Sequence, residues 1–231
     1  MTAVLHALPS VRKDDRTRRW LLRGGDEVFR AIYTRAKVER REVIAVTSAT
    51  HGEGRTTIAI GLATTIAQDF PDRRIVIVET DLEQPVLARD LAISPRPGLI
   101  DCLVAGRLDP DAIRTTALDN LCVIPSGGPV SATERLLRSQ RMVALVGELR
   151  HAFDVVVIDT PPILTNSDGA PVVALADGAL LVVRAGLASV EQVERAVAEI
   201  EPVKLRGTVL NGAHSAVPQF LRRLFGLGTG G

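Results

Sequence analysis

Aromatic side chains are scarce in this sequence, which has one tryptophan, one tyrosine and five phenylalanines in 231 residues. A core of ordinary size must then be filled by Val, Ile, Leu and Ala. With 46% apolar residues in all, that composition suits strands buried on both faces beneath helices. Cysteine is nearly absent too. Cys102 and Cys122 have neither metal-ligand spacing nor the density of a secreted disulfide scaffold, which points to a reducing compartment. The formal charge of +1 gives no electrostatic footprint for nucleic acid, so none is expected as a partner. No apolar run reaches the roughly 18 residues of a spanning helix, since "APVVALADGALLVV" is broken by Asp177 and Gly178. Nor does the N-terminus carry a signal-peptide hydrophobic region, and the expectation is a cytoplasmic protein.

What is present is a repeating β-α order. Apolar, β-branched runs lie at 43–47, 75–79, 121–125, 154–159, 179–183 and 205–211, and stretches of helical spacing fill 56–69, 133–151 and 189–201. This order predicts an α/β fold of three layers, a mostly parallel sheet with helices on both faces, whose binding site lies at the carboxyl ends of the strands. The chain length suits one such domain, placed at 26–217. Before it, 1–25 form a basic arm, and after it 218–231 form a short tail.

Between the first run and the first helix stands "ATHGEGRTTIA", one residue away from a phosphate-binding loop. The pattern GxxxxGK[ST] asks for glycine where Ala49 stands and lysine where Arg55 stands. The rest fits. Gly52 and Gly54 can take backbone angles closed to other residues, so that consecutive amides face one anion at the positive end of the next helix. Thr56 follows at the position whose hydroxyl meets Mg²⁺ in such loops. A dinucleotide fingerprint fits less well, because "GEGRTT" lacks its third glycine.

Two other runs end in acids, "IVIVETDLEQP" with Glu79 and Asp81, and "VVVIDTPP" with Asp159. Strand order brings these carboxylates to the edge where the loop lies. Together they would repel, and Mg²⁺ with a triphosphate gives a reason for such a cluster. Each acid by itself fits a helix cap or a solvated strand end equally well.

The three segments resemble the signature of the bacterial protein-tyrosine kinases (BY-kinases) of capsule and exopolysaccharide synthesis, a branch of the deviant P-loop ATPases that also holds division-site and partition ATPases. "TSATHGEGRTTIAIGLA" resembles the family's Walker A, "VIVETDLEQP" its Walker A′ and "FDVVVIDTPP" its Walker B, and the likeness runs over about 26–212. The resemblance implies ATP and Mg²⁺ as cofactors. It implies that the backbone of His51, Gly52, Glu53, Gly54 and Arg55 wraps the β- and γ-phosphates, while Thr57 reaches the α-phosphate. It further implies that Thr56 ligates the metal, that Asp159 holds it through water, and that Asp81 acts beside it. Glu79 stands for the first Walker A′ acid, a candidate base for the acceptor hydroxyl, and Asn211 for an asparagine set against adenine.

Several positions depart from the family. Arg55 keeps a permanent charge and a planar fork, yet it is bulkier than lysine, and a cation misplaced by an ångström costs on the order of a hundredfold in phosphoryl transfer. The family's tail of clustered tyrosines is missing, and Tyr33 is the only tyrosine. It lies in "EVFRAIYTR", which resembles the ExxRxxR oligomerisation helix with Glu27 and Arg30 kept. The expected assembly is a homo-oligomer or an ATP-dependent dimer, with an integral membrane polysaccharide co-polymerase as activator in trans. In "PQFLRRLFGLG" (218–228), Phe220, Leu221, Leu224, Phe225 and Leu227 share one arc of a helix opposite Arg222 and Arg223. This stretch resembles the membrane-targeting helix of division-site ATPases and suits an anionic membrane surface, hence a peripheral position at the inner face of the cell membrane. The leading reading is transfer of the ATP γ-phosphate to protein tyrosine. Its alternatives are a catalytically degenerate switch or scaffold and a positioning ATPase.

Overall fold

The computed structural model describes residues 4–8, 27–128 and 134–212. One sheet runs in the order β1-β8-β7-β2-β6-β3-β5-β4. Its strands are β1 (Val4–Leu8), β2 (Glu42–Ser48), β3 (Ile75–Glu79), β4 (Arg114–Thr115), β5 (Leu121–Ile124), β6 (Val155–Asp159), β7 (Gly178–Arg184) and β8 (Leu205–Asn211). Only β4 and β5 pair antiparallel. The helices are α1 (Glu27–Arg35), α2 (Arg55–Asp69), α3 (Leu87–Leu91), α4 (Leu99–Ala105), α5 (Glu134–Leu137), α6 (Gln140–Ala152), α7 (Gly169–Val173) and α8 (Val190–Ala198). The expected three-layer α/β architecture is the one found.

Alternation along the strands assigns the two faces. Ile44, Val46, Ile75, Ile77, Val155, Val157, Leu180 and Val182 join one core with Phe29 and Ile32 of α1 and Ile58, Leu62 and Ile66 of α2. Their neighbours Val43, Ala45, Val76, Val78, Val156, Ile158, Ala179 and Leu181 join a second core with Leu99 and Leu103 of α4 and Met142, Leu145 and Leu149 of α6. Because both faces are covered, the strands read as continuous apolar runs. α1 sits so close to α2 that a Cβ added at Gly61 would lie 2.1 Å from Cζ of Phe29.

Two differences from the sequence reading concern elements. The segment 133–151, read as one helix, is two: Ser139 turns back so that its backbone N–H and its hydroxyl both donate to the Leu136 carbonyl, and α6 starts afresh. Val4–Leu8, inside the expected basic arm, is a strand in parallel pairing with β8. The tail at 218–231 and most of the arm lie outside the described residues.

Register then sets the site. Val46 of β2 and Glu79 of β3 both lie level with Asp159 of β6, which runs between those strands. β3 and β6 therefore end level, while β2 runs two residues further, to Ser48. The chain leaves β2 for α2 and β3 on one side, and leaves β6 for α7 and β7 on the other, so the strand order diverges at this edge, the usual place of an α/β ligand crevice.

Candidate functional site

The loop between β2 and α2 is shaped for an anion. Gly52 and Gly54 have φ of 81° and 97°, left-handed values that a side chain would strain. Gly54 is the N-cap of α2, where no side chain caps the amides and no acid lies in the first turn. The positive end of a 15-residue helix is thus left facing the strand ends.

Glu53 shows how a carboxylate is tolerated inside such a loop. It is fully buried and turned away from the mouth: Oε1 accepts from the Thr50 amide at 2.6 Å and the Thr50 hydroxyl at 3.1 Å, and Oε2 from the Arg184 amide at 3.1 Å. Arg184 also donates from Nη1 to the Gly52 carbonyl at 3.1 Å. The loop is braced from behind. Neither Glu53's bracing role nor Arg184 was foreseen from the sequence. The signal was there for Glu53, because an acid between two glycines of a phosphate loop must point inward to avoid repelling its ligand.

Thr56 and Asp159 meet. The threonine hydroxyl donates to Oδ2 of Asp159 at 2.6 Å, while the buried Oδ1 has no partner in the protein. Burial pushes the Asp159 carboxyl up to about 7, and the nearby Glu79 and Asp81 carboxylates add to this against the opposing effects of the Thr56 hydroxyl and the Arg55 guanidinium. Among the described residues no group of three His, Cys, Asp or Glu could by itself hold a metal. Mg²⁺ asks for less, one or two protein oxygens completed by phosphate and water. A hydroxyl beside a carboxylate with an unshared oxygen fits that ion.

Three residues are held otherwise than the sequence reading had them. Asp81, expected beside a metal, accepts from Nη2 of Arg55 at 2.9 Å through Oδ2 and from the Gln84 amide at 3.0 Å through Oδ1. Glu79, the candidate base, is 1% exposed, and its oxygens take the amides of Val86, Leu87 and Ser126 at 2.6, 2.7 and 3.1 Å. Burial raises its pKa, and those amides oppose the rise. With both oxygens spent on backbone, Glu79 is a strut joining β3 to α3 and to the end of β5, not a base open to an acceptor. Asn211, expected against adenine, donates from Nδ2 to the Glu53 carbonyl at 2.8 Å and so ties β8 to the loop. The acids therefore do not wait together for a cation to relieve them. Asp81 has Arg55, Glu79 has amides, and only Asp159 keeps an oxygen free.

Tyr33 lies away from this edge. Its hydroxyl donates to Asp69 at 2.5 Å, and Arg30 grips the same carboxylate at 2.7–3.0 Å. Burial and that hydrogen bond push the Tyr33 pKa up to about 12.

The AAA domain family matches residues 41–211, from just before β2 to the last residue of β8. Tyrosine-protein kinase YwqD of Bacillus subtilis is 31% identical over 192 residues, 80% of this chain and 80% of that protein. The succinoglycan biosynthesis transport protein ExoP of Rhizobium meliloti is 31% identical over 175 residues, 73% of this chain but 22% of that longer protein. The kinase domain of Escherichia coli tyrosine kinase ETK superposes with a TM-score of 0.78 at 27% identity, over 94% of both chains. With the phosphate loop, the Thr56–Asp159 pair and the parallel sheet in place, this chain belongs to the AAA domain family, in its branch of bacterial tyrosine-protein kinases.

Proposed function

We propose that this protein is a Mg·ATP-dependent protein-tyrosine kinase serving exopolysaccharide or capsule assembly. One observation carries the reading: Thr56 and Asp159, joined at 2.6 Å, stand at the foot of an uncapped helix in a chain whose relatives are named tyrosine-protein kinases. Bound Mg·ATP supplies the phosphoryl group and a divalent charge to steady its oxygens. The residues of the chain do the rest by position and charge, as phosphoryl transfer requires. Amides of residues 52–55 hold the phosphates, Arg55 adds a cation, Thr56 and Asp159 hold the metal, and Asp81 orients the acceptor hydroxyl. Glu79 keeps the Asp81 segment in place.

The acceptor is a tyrosine on another chain. Tyr33 is the only tyrosine of this sequence, and its engagement with Asp69 argues against it. The assembly is a homo-oligomer or an ATP-dependent dimer. The relative named for succinoglycan transport supports an integral membrane polysaccharide protein as activator. Among the described residues no helix is long and apolar enough to cross a membrane, and the amphipathic stretch 218–228 is proposed, on its sequence, to rest on anionic lipid.

The test is transfer of labelled γ-phosphate from Mg·ATP to a tyrosine-bearing acceptor, with native chain, Arg55→Lys and Asp159→Asn compared. The native chain is expected to label the acceptor and Asp159→Asn to abolish labelling. Nucleotide bound but no label from either the native chain or Arg55→Lys overturns the kinase reading.

A further inference from the structure

Arg55 begins α2 at the phosphate loop, yet its side chain does not extend into the mouth. It is 9% exposed and folds back along the strand ends, where Nη1 donates to Oγ of Ser48 at 3.3 Å and Nη2 to Oδ2 of Asp81 at 2.9 Å. Ser48 is itself fixed, donating to the Thr50 carbonyl at 2.6 Å, and Asp81 is fixed from its other oxygen by the Gln84 amide. The planar fork of arginine thus bridges two anchored oxygens, an arrangement that the single ammonium of lysine does not reproduce. Both ends of the ion pair are nearly out of water, with side-chain exposures of 10% and 6%.

A buried charge that loses its partner is expensive unless another takes its place. Arg55 can therefore leave Asp81 only when a comparably charged anion receives it, and a polyphosphate in the loop beside it is such an anion. Asp81, released, is a carboxylate at the carboxyl edge of the sheet with one oxygen free. We propose that the Arg55–Asp81 pair is a latch opened by polyphosphate: the guanidinium moves from the carboxylate to the phosphates, and the same exchange uncovers Asp81 for the reaction. This rests on the ATP-site reading above and adds to it an order of events. Asp81 is masked until phosphate arrives, so in the resting chain it is withheld from hydroxyls and stray cations. The replacement of lysine by arginine is then a change of control as well as of fit.

The latch predicts a competition that binding can read without turnover. Calorimetric titration with tripolyphosphate in the absence of divalent metal is compared for the native chain, Asp81→Asn, Arg55→Ala and the double variant. Asparagine still accepts the Gln84 amide, so the local turn is kept. Asp81→Asn is expected to tighten tripolyphosphate about tenfold, within the range for coupled neighbouring charges. In the Arg55→Ala background the same substitution should do much less, because no cation is held away from the ligand. An equal gain in both backgrounds means that Asp81 acts only as a distant repulsive charge, and it overturns the latch; so does unchanged or weakened binding in a folded Asp81→Asn chain. If no variant binds polyphosphate or Mg·ATP, the site reading itself fails. Should Asp81→Asn not fold, nitrogen NMR of the native guanidinium answers in its place. Arg55 Nη signals that are resolved in the free protein and change on adding tripolyphosphate support the latch, and averaged, freely rotating signals overturn it.

Discussion

Asp159→Asn should stabilise the metal-free protein at alkaline pH while abolishing its use of the metal. The Asp159 carboxyl is held at about 7 against an ordinary 3.8. At about 1.4 kcal/mol for each pH step between those values, the ionised group opposes folding by about 4 kcal/mol. The sign follows from which state holds the proton more tightly. The folded chain does, so the penalty is absent below pH 4, grows as pH rises towards 7 and is constant above. Asparagine carries no charge and can still accept the Thr56 hydroxyl, although its NH₂ then lacks the partner that Oδ1 lacks now. That unpaired donor costs about 1–3 kcal/mol, which leaves a net gain of about 1–3 kcal/mol at pH 8 and none at pH 4.5. Urea denaturation in EDTA at the two pH values measures this directly. A variant equally or less stable than the native chain at both would refute the claim that a buried, unsatisfied carboxylate strains this site.

Gly61→Ala drives a methyl group into the Phe29 ring at the α1–α2 contact. It should cost about 1–3 kcal/mol, read as a lower midpoint in thermal unfolding, and a restored midpoint in the Gly61→Ala/Phe29→Leu double variant would tie the loss to that contact. Glu79→Ala strands two buried amides and a half-buried one and should destabilise by about 2–4 kcal/mol, with the segment 80–87 exchanging its amide hydrogens faster than in the native chain. Asp154 behaves oppositely to Asp159: the Arg74 amide and the Arg40 guanidinium hold its carboxyl below the ordinary 3.8, against burial. Its contribution is complete above that value and is lost as pH falls through the lowered one, so Asp154→Asn should flatten the acid limb of a melting-temperature profile between pH 5 and pH 2.

Strand positions were legible in the sequence because both faces are buried. Runs such as "VIAVT" and "IVIVE" then stay apolar throughout, and the acids that end them mark the sheet edge. The loop was legible through its glycines. What each polar group binds was not, since that depends on register and on which way a side chain turns. Glu79 and Asp81 are two residues apart with similar chemistry, yet one is consumed by amides that arrive from β5 and α3, and the other by a guanidinium from α2. Strand β1 was hidden because five residues inside an arginine-rich arm show no periodicity of their own, and their pairing with β8 is made by backbone.

The place of β2 in the sheet has a consequence for biosynthesis. Its two neighbours are β6 and β7, and Val43 meets Val156 only after roughly a hundred further residues have been made, the kind of non-local pairing that slows folding. On the ribosome β2 therefore emerges with both edges bare, and so does β3 on the side that β6 will fill. The nascent chain carries the centre of its sheet as open strands until β6 enters between β2 and β3 and β7 closes the far side of β2. During that interval the apolar run at 43–47 is the segment most in need of a holding chaperone.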